Sequence, residues 1–192
     1  MLSLVRGAFR LALASLKALA GRSGLKKHLE EDASARVALL VVVGSVPTAV
    51  VGLMLKDLAD HVAGGQVKLV GAFFIITAVF VYLCDRLPVG FKGLGTAGVW
   101  DAVVVGMFQG LAVLPGLSRS GLTIFAGVLR GVERRDAAKL SFLMAIPAML
   151  GALALEGFDG ANAGLAGPAL AGAAVAFVSG YVSIALLIRL LA

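Results

Sequence analysis

Residues 98–131 read GVWDAVVVGMFQGLAVLPGLSRSGLTIFAGVLRG, and this stretch decides how the chain is arranged. Positions 98–114 are apolar apart from two polar residues, and as an α-helix they would cover about 25 Å. A turn-forming sequence follows at 115–121, and the apolar segment 122–129 after it is long enough for only about half a bilayer. The pattern predicts a helix, a polar turn and a half-helix, which together form a re-entrant hairpin.

The composition of the chain is that of a membrane protein. Of its 192 residues, 60% are apolar and 15% are charged, whereas a soluble domain has about 45–50% apolar and about 25% charged residues. This surplus of apolar residues argues against a soluble globular enzyme, and also against a disordered chain, which is poor in apolar residues. We therefore expect an all-α fold, a polytopic bundle of transmembrane helices around the hairpin.

Windows without charged residues predict the transmembrane spans. The stretch 2–20 is also rich in Leu and Ala, but Arg and Lys residues interrupt it. It is therefore either a span packed against other helices or a helix lying in the membrane interface. We expect a single integral membrane domain over residues 1–192, with about five spans and the hairpin at 98–131. The four clearer windows are 37–55, 69–84, 140–155 and about 168–188.

Lys and Arg are concentrated in three loops, at 21–36, 85–97 and 130–139, whereas the charged residues of 156–167 are acidic. Short cationic loops stay on the cytoplasmic side of a membrane. The hairpin must then leave and return on that side, and its turn at 115–121 lies deep in the membrane or toward the outer face. The same distribution accounts for the net charge of +6 without a nucleic-acid partner.

Two of the predicted spans share a pattern of a central proline followed closely by glycine. Residues 45–52 read SVPTAVVG and residues 145–151 read AIPAMLG. Inverted repeats with broken helices at their interface are common in membrane transport folds. Because Pro and Gly are frequent in transmembrane helices, chance is the alternative explanation of this match.

The predicted turn carries a cluster of groups suited to an anion. Gly116 and Gly121 let backbone N–H groups approach a ligand closely, and the half-helix, expected to begin near residue 121, directs a positive dipole end toward it. Arg119 adds a planar, permanently charged fork that matches two phosphate oxygens. Three hydroxyl groups complete the cluster, those of Ser118, Ser120 and Thr123.

An arginine inside a membrane needs a partner, because its insertion costs at least about 2.5–3.5 kcal/mol. A phosphate or pyrophosphate is one such partner. The alternative is a purely structural turn, in which Arg119 pairs with a carboxylate or reaches a lipid head group. The hydroxyl groups and glycines around Arg119 favour the phosphate.

The turn motif and the segment LSFLMAIP at 140–147 together resemble the signature of the bacterial undecaprenyl-diphosphate phosphatase family, also called the bacitracin-resistance protein family. In that family a PGxSRSxxT loop is followed by a span reading close to FSFLLAIP, and both parts occur here in order and spacing. The resemblance extends more loosely from about residue 36 to the end. It implies an inverted-repeat bundle in the bacterial inner membrane that hydrolyses undecaprenyl diphosphate to undecaprenyl phosphate, the lipid carrier of cell-wall precursors.

The resemblance also implies roles for individual residues. Arg119 would stabilise charge on the transferred phosphoryl group, with Ser118 and Thr123 as the other catalytic residues. No cofactor is evident, and His28 and His61 are far apart in sequence and lack the spacing typical of metal ligands. Binding of a divalent cation, Mg²⁺ or Ca²⁺, together with the diphosphate is left as an alternative. The expected diphosphate-binding residues are Ser120, Gly116, Gly121 and Gln109.

The chain departs from the family pattern in two respects. We find neither the glutamate-rich N-terminal motif, with its Pro-x-Ser-Ser-x-Gly-His-type loop, nor the last helix of the family. The acids Asp101, Glu133, Asp136 and Glu156 are not placed by their spacing to act as a general base. The alternatives to a hydrolase are therefore a catalytically incomplete fragment and a protein that binds or flips polyprenyl phosphate. A homo-oligomer or a missing-half partner would then complete the site.

Overall fold

The computed structural model describes residues 33–157 and 166–191, and this part of the chain is all-α, as the sequence predicts. It contains seven helices and no strand, and its β-type pairing is one isolated bridge between Lys92 and Val132. The helices are α1 (Ala33–Met54), α2 (Lys56–Ala63), α3 (Val67–Arg86), α4 (Val99–Leu111), α5 (Arg119–Leu129), α6 (Arg134–Gly157) and α7 (Ala166–Leu191).

Among the described residues, three helices are long and apolar enough to cross a membrane, namely Ser34–Met54 in α1, Val67–Arg86, and Arg134–Leu153 in α6. They match three of the four clearer windows of the sequence to within two residues at the ends of the windows, and α7 contains the fourth. The weaker candidate span at 2–20 lies outside the described residues. The short helix α2, between the first two spans, was not predicted.

The chain divides into two compact units, residues 1–149 and 150–192. The prediction of a single integral membrane domain over residues 1–192 stays a prediction. The described residues of the second unit belong to α7 and the end of α6. The first unit contains α1 to α5 and the larger part of α6, and it carries every residue of the turn motif.

Helices α1 and α4 of the first unit run parallel in close contact. The Arg36 side chain donates hydrogen bonds of 3.2 and 3.1 Å to the carbonyl oxygen of Ala97, just before α4. Further along, the Thr48 hydroxyl lies 3.0 Å from the carbonyl oxygen of Gly106. A Cβ atom on Gly106 would collide with the Gly44 carbonyl group of α1, so the two backbones pack as closely as glycine allows.

Within the first unit, helices α3 to α6 alternate in direction along the chain. Phe80 of α3 packs against Phe125 of α5, with ring centroids 4.8 Å apart, and Ser141 of α6 contacts Thr123 of α5. As a result, one end of the unit, which we call the base, gathers the start of α1, the end of α3, both ends of the hairpin and the start of α6. The described cationic residues of the three Lys/Arg-rich loops lie there, which is the arrangement that the positive-inside pattern requires.

The hairpin predicted over 98–131 is present, with different boundaries. Helix α4 ends at Leu111 rather than near residue 114, and α5 begins at Arg119 rather than near residue 121. The reason for the early start is local, since the Ser118 side chain accepts a hydrogen bond from the Gly121 N–H at 3.2 Å and so caps the helix. Arg119 and Ser120 therefore belong to the first helical turn and not to the loop.

A buried carboxylate closes the hairpin at the base. The Asp101 side chain is 3% exposed and pairs with Arg130 Nε at 2.9 Å and with Lys92 Nζ at 3.2 Å. It also accepts the Gly98 N–H at 2.9 Å, before the first turn of α4. Because Asp101 lies in the first turn of α4 and Arg130 directly follows α5, this contact confirms that the hairpin leaves and returns on the same side.

Candidate functional site

The tip of the hairpin lies against the middle of α3. Gly116 has a φ of +97°, and a Cβ atom there would come within 2.6 Å of the Val70 carbonyl oxygen and 3.0 Å of Phe73 Cβ. Glycine is therefore required for the backbone conformation and for the close approach to α3. Gly116 was predicted to let a phosphate approach the backbone closely. In the structure it is α3 that approaches the backbone at this position.

Thr77 of α3 fixes the same loop by two hydrogen bonds. Its hydroxyl donates to the Gly116 carbonyl oxygen at 3.0 Å and accepts the Ser118 N–H at 3.0 Å. Thr77 was not among the site residues predicted from the sequence. The signal that could have found it is a single hydroxyl side chain within the apolar stretch LVGAFFIITAVFV at 69–81, because a polar group in such a span needs a protein partner.

Helical rise places the tip far from the base. Thr77 is nine residues before the end of α3 at Arg86, and Val70 is sixteen residues before it, which correspond to about 14 and 24 Å. In a membrane crossed by α3, the loop would therefore lie toward the face opposite the base. This placement agrees with the expectation that the turn lies deep in the membrane or toward the outer face.

Thr123 is buried under the first turn of α5 and faces α6. Its hydroxyl donates to the Arg119 carbonyl oxygen at 2.7 Å and lies 2.6 Å from the Ser141 hydroxyl of α6. Both hydroxyl-bearing residues are almost completely buried, with 0% and 2% exposure. In this arrangement Thr123 supports the backbone of Arg119 and is enclosed by protein, rather than open to a ligand as predicted.

The Arg119 side chain extends along α6 and is half-buried. Its Nη2 atom donates a long hydrogen bond of 3.4 Å to the Ala145 carbonyl oxygen. In the described part of the chain no carboxylate forms an ion pair with it. Within those residues, the structural alternative of an Arg119–carboxylate pair is not observed, and most of the guanidinium donors stay available to an anion.

Gln109 of α4 is buried, with 4% of its surface exposed. It binds the α6 carbonyl group directly before the one that Arg119 contacts. Its Nε2 atom donates to the Met144 carbonyl oxygen at 3.1 Å, while Oε1 has no hydrogen-bond partner among the described residues. Gln109 and Arg119 therefore converge on adjacent residues of α6, Met144 and Ala145. The α6 segment that follows the turn in the sequence motif thus forms one wall of the site.

The predicted residues fall into two groups. Ser118, Arg119, Ser120 and Gly121 lie at the exposed or half-buried N-terminus of α5, where free N–H groups and the helix dipole favour an anion. The others have structural surroundings: Thr123 and Gln109 are buried between helices, and Gly116 packs on α3. The first group, with the Arg119 charge, forms a compact cradle of hydrogen-bond donors suited to an anion.

The acids at the base do not join this cradle. Asp101 is enclosed by its cations at the base, Asp136 bonds the Leu94 N–H at 3.0 Å and pairs with Lys139, and Glu133 is exposed just before α6. Their distance from the loop follows from the hairpin, which separates its base from its tip by the length of α5. These acids at the base are therefore not placed to act as a general base at the cradle.

Comparison with known proteins gives consistent results. A family model for the bacitracin resistance protein BacA matches residues 4–192. The chain is 43% identical over 164 residues to an undecaprenyl-diphosphatase of Carboxydothermus hydrogenoformans, a match that covers 81% of this chain and 62% of that one. It is 42% identical over 170 residues to an undecaprenyl-diphosphatase of Desulfosudis oleivorans, covering 87% and 62%. The chain therefore spans about three fifths of the length of the curated relatives it matches.

Proposed function

The chain belongs to the bacitracin resistance protein BacA family, and on that premise we propose that it hydrolyses undecaprenyl diphosphate to undecaprenyl phosphate and inorganic phosphate. The protein is a membrane protein, and its described residues include three helices able to span a bilayer. Relatives at 37–43% identity are named undecaprenyl-diphosphatase. The reaction would return the lipid carrier to cell-wall synthesis.

The proposal depends on one observation: among the described residues, a guanidinium group without a carboxylate partner lies at the capped N-terminus of a helix. Arg119 stands in the first turn of α5, beside the Ser118 and Ser120 hydroxyl groups, and it has no carboxylate partner in the described residues. A diphosphate supplies the missing negative charge and matches the planar fork of arginine. A site between apolar helices also suits a ligand whose remaining part is a long hydrocarbon chain.

In the proposed reaction, water attacks the terminal phosphorus in line with the bridging oxygen. The bond between that phosphorus and the bridging oxygen breaks, the bridging oxygen stays with undecaprenyl phosphate, and the water oxygen leaves in inorganic phosphate. Arg119 and the N–H groups at the start of α5 stabilise the charge that develops on the transferred phosphoryl group. Ser118 and Ser120 orient the phosphate oxygens.

Replacement of Arg119 tests the proposal. Arg119→Ala should lower the rate of phosphate release by about a hundredfold to a thousandfold, the usual effect of removing one transition-state donor. Arg86→Ala is the matched control, because Arg86 is an exposed arginine on α3 that stacks on Tyr82, 4.7 Å from the ring centroid. Phosphate release would be measured with long-chain polyprenyl diphosphate in detergent micelles. An Arg119→Ala rate equal to that of the control would contradict the assignment, and an inactive wild-type chain would favour the catalytically incomplete alternative.

A divalent cation belongs to the proposal as a companion of the substrate. Within the described residues no group of three or more His, Cys, Asp and Glu side chains is placed to hold a metal ion. We propose that Mg²⁺ or Ca²⁺ enters bound to the diphosphate oxygens, because both cations prefer oxygen ligands. Titration of phosphate release with each cation after chelator treatment measures this directly.

We also propose that the protein is a multi-pass protein of the bacterial inner membrane, with the base facing the cytoplasm. The cationic residues gathered at the base support this orientation. Labelling of single cysteines placed at Lys92 and at Asp57, in a variant with Cys84 replaced by Ser, tests it. A thiol reagent that does not cross the membrane should reach the two positions from opposite sides. Cross-linking in the same membranes tests for a second copy or another partner.

A further inference from the structure

One hydroxyl group interrupts an otherwise apolar membrane helix. Between residues 69 and 81 of α3, Thr77 is the single side chain that can form a hydrogen bond, and most of its neighbours on the helix are exposed, as expected for a lipid-facing span. An isolated hydroxyl there would satisfy itself on the carbonyl group one helical turn back. In this structure the Thr77 hydroxyl instead reaches out of its own helix to the hairpin tip.

The two hydrogen bonds of Thr77 bracket a single residue of the loop. The hydroxyl donates to the Gly116 carbonyl oxygen and accepts the Ser118 N–H, both at 3.0 Å, so the peptide groups on both sides of Leu117 are fixed. On the same side, a Cβ at Gly116 would lie 2.6 Å from the Val70 carbonyl oxygen, which leaves the loop little room to move toward α3.

Ser118, the residue held by Thr77, is also the N-cap of α5. Its side chain accepts the Gly121 N–H at 3.2 Å, and its carbonyl oxygen accepts the Leu122 N–H at 2.9 Å. The direction of the first turn of α5, and with it the free N–H groups of Arg119 and Ser120, therefore depends on the position of the Ser118 backbone.

We propose that Thr77 is a positioning residue for phosphate recognition, which rests on the function proposed above. Thr77 touches no substrate atom; it acts through the Ser118 backbone by holding the start of α5 in the orientation that binds the terminal phosphate. Loss of this positioning should slow the reaction strongly, because a displacement of about 1 Å at a reacting centre can lower the rate by about a hundredfold.

Thr48 provides a matched control. It is likewise a threonine in a membrane-spanning helix, and its hydroxyl bridges the Gly44 and Gly106 carbonyl oxygens at 2.8 and 3.0 Å. These contacts join α1 to α4 and do not include the turn at 112–118. Thr48→Val and Thr77→Val therefore each remove one hydroxyl group from a contact between helices. Only Thr77→Val removes a contact to the loop.

The experiment compares Thr77→Val, Thr77→Ser and Thr48→Val in the full chain. With long-chain polyprenyl diphosphate, Thr77→Val should lower kcat/KM by about tenfold to a hundredfold. Thr77→Ser, which keeps the hydroxyl, should stay within about threefold of the wild type, and so should Thr48→Val once the rate is corrected for the folded fraction. A rate unchanged in Thr77→Val, or lost equally in Thr48→Val, would overturn the proposal.

Hydrogen–deuterium exchange gives a readout that does not require activity. Thr77→Val should accelerate amide exchange over residues 117–122, while Thr77→Ser and Thr48→Val leave that segment protected as in the wild type. If the wild-type chain releases no phosphate, the proposed function fails while the exchange result still decides whether Thr77 holds the loop. Unchanged exchange in Thr77→Val would refute the positioning role even in an active protein.

Discussion

Asp101 offers a sharp test of how the re-entrant hairpin is held together. Replacement by Asn keeps the size of the side chain and one acceptor oxygen, but it removes the negative charge and turns an NH₂ group toward a cation. The carboxylate is 3% exposed and accepts hydrogen bonds from three groups. The Gly98 N–H and Arg130 Nε each donate at 2.9 Å, and Lys92 Nζ donates to both oxygens at 3.2 and 3.3 Å. These contacts tie the two ends of the hairpin to each other and to the preceding loop.

The size of the effect follows from the burial of each partner. Breaking a fully buried ion pair costs about 3–5 kcal/mol, mainly because the remaining charge is left without a partner. Here the side chains of Lys92 and Arg130 are 29% and 41% exposed, so both can regain water. We therefore expect Asp101→Asn to lower the free energy of unfolding by about 2–3 kcal/mol, less than a fully buried pair would lose.

Asp85 supplies the control for this prediction. It pairs with Arg134 at 2.9 Å, the same distance as the Arg130–Asp101 contact, but its carboxylate is 77% exposed. An exposed pair of this kind contributes about 0–1 kcal/mol, so Asp85→Asn should change stability very little. Reversible unfolding of each variant in detergent micelles measures the difference. If Asp101→Asn and Asp85→Asn agree within about 0.5 kcal/mol, the buried carboxylate does not hold the hairpin and the reasoning is wrong.

Two further predictions concern the packing around the hairpin. Thr123→Val, close in shape, removes the hydroxyl shared with Ser141 at 2.6 Å; it should cost about 1–3 kcal/mol of unfolding free energy, because a buried hydroxyl loses its partner. Thr123→Ser should restore the wild-type value in the same unfolding assay, and equal losses in both variants would count against the hydroxyl pair. Gly106→Ala should destabilise by about 1–3 kcal/mol, since its Cβ meets the Gly44 carbonyl group. Gly52→Ala, with open space around it, is the control, and equal thermal midpoints for the two would argue against the close helix contact.

Much of the architecture could be predicted from the sequence because the determinants are local. Charge-free apolar windows predict helices α1, α3 and α6, since a lipid-facing segment must satisfy its backbone internally. The PGLSRSG sequence predicts the break between α4 and α5, because proline and glycine clustered with polar residues disfavour a continuous helix. The isolated Pro47 and Pro147, in apolar surroundings, lie inside α1 and α6. The pattern of cationic loops predicts that the hairpin returns to its own side, and the Asp101–Arg130 contact confirms it.

The sequence alone could not assign partners to the residues of the motif, because these partners come from other helices. Gly116 and Thr123 were expected to face a ligand, but the first packs on α3 and the second on α6. Nothing in the motif indicates that Thr77, about forty residues earlier, holds the loop. Such contacts depend on the rotation and depth of each helix relative to its neighbours, which side-chain packing across the bundle determines and a window of sequence does not contain. Composition and local motifs thus determined what kind of chain this is and where it bends, whereas tertiary packing decided which hydroxyl groups support the anion-binding turn and which remain free to bind.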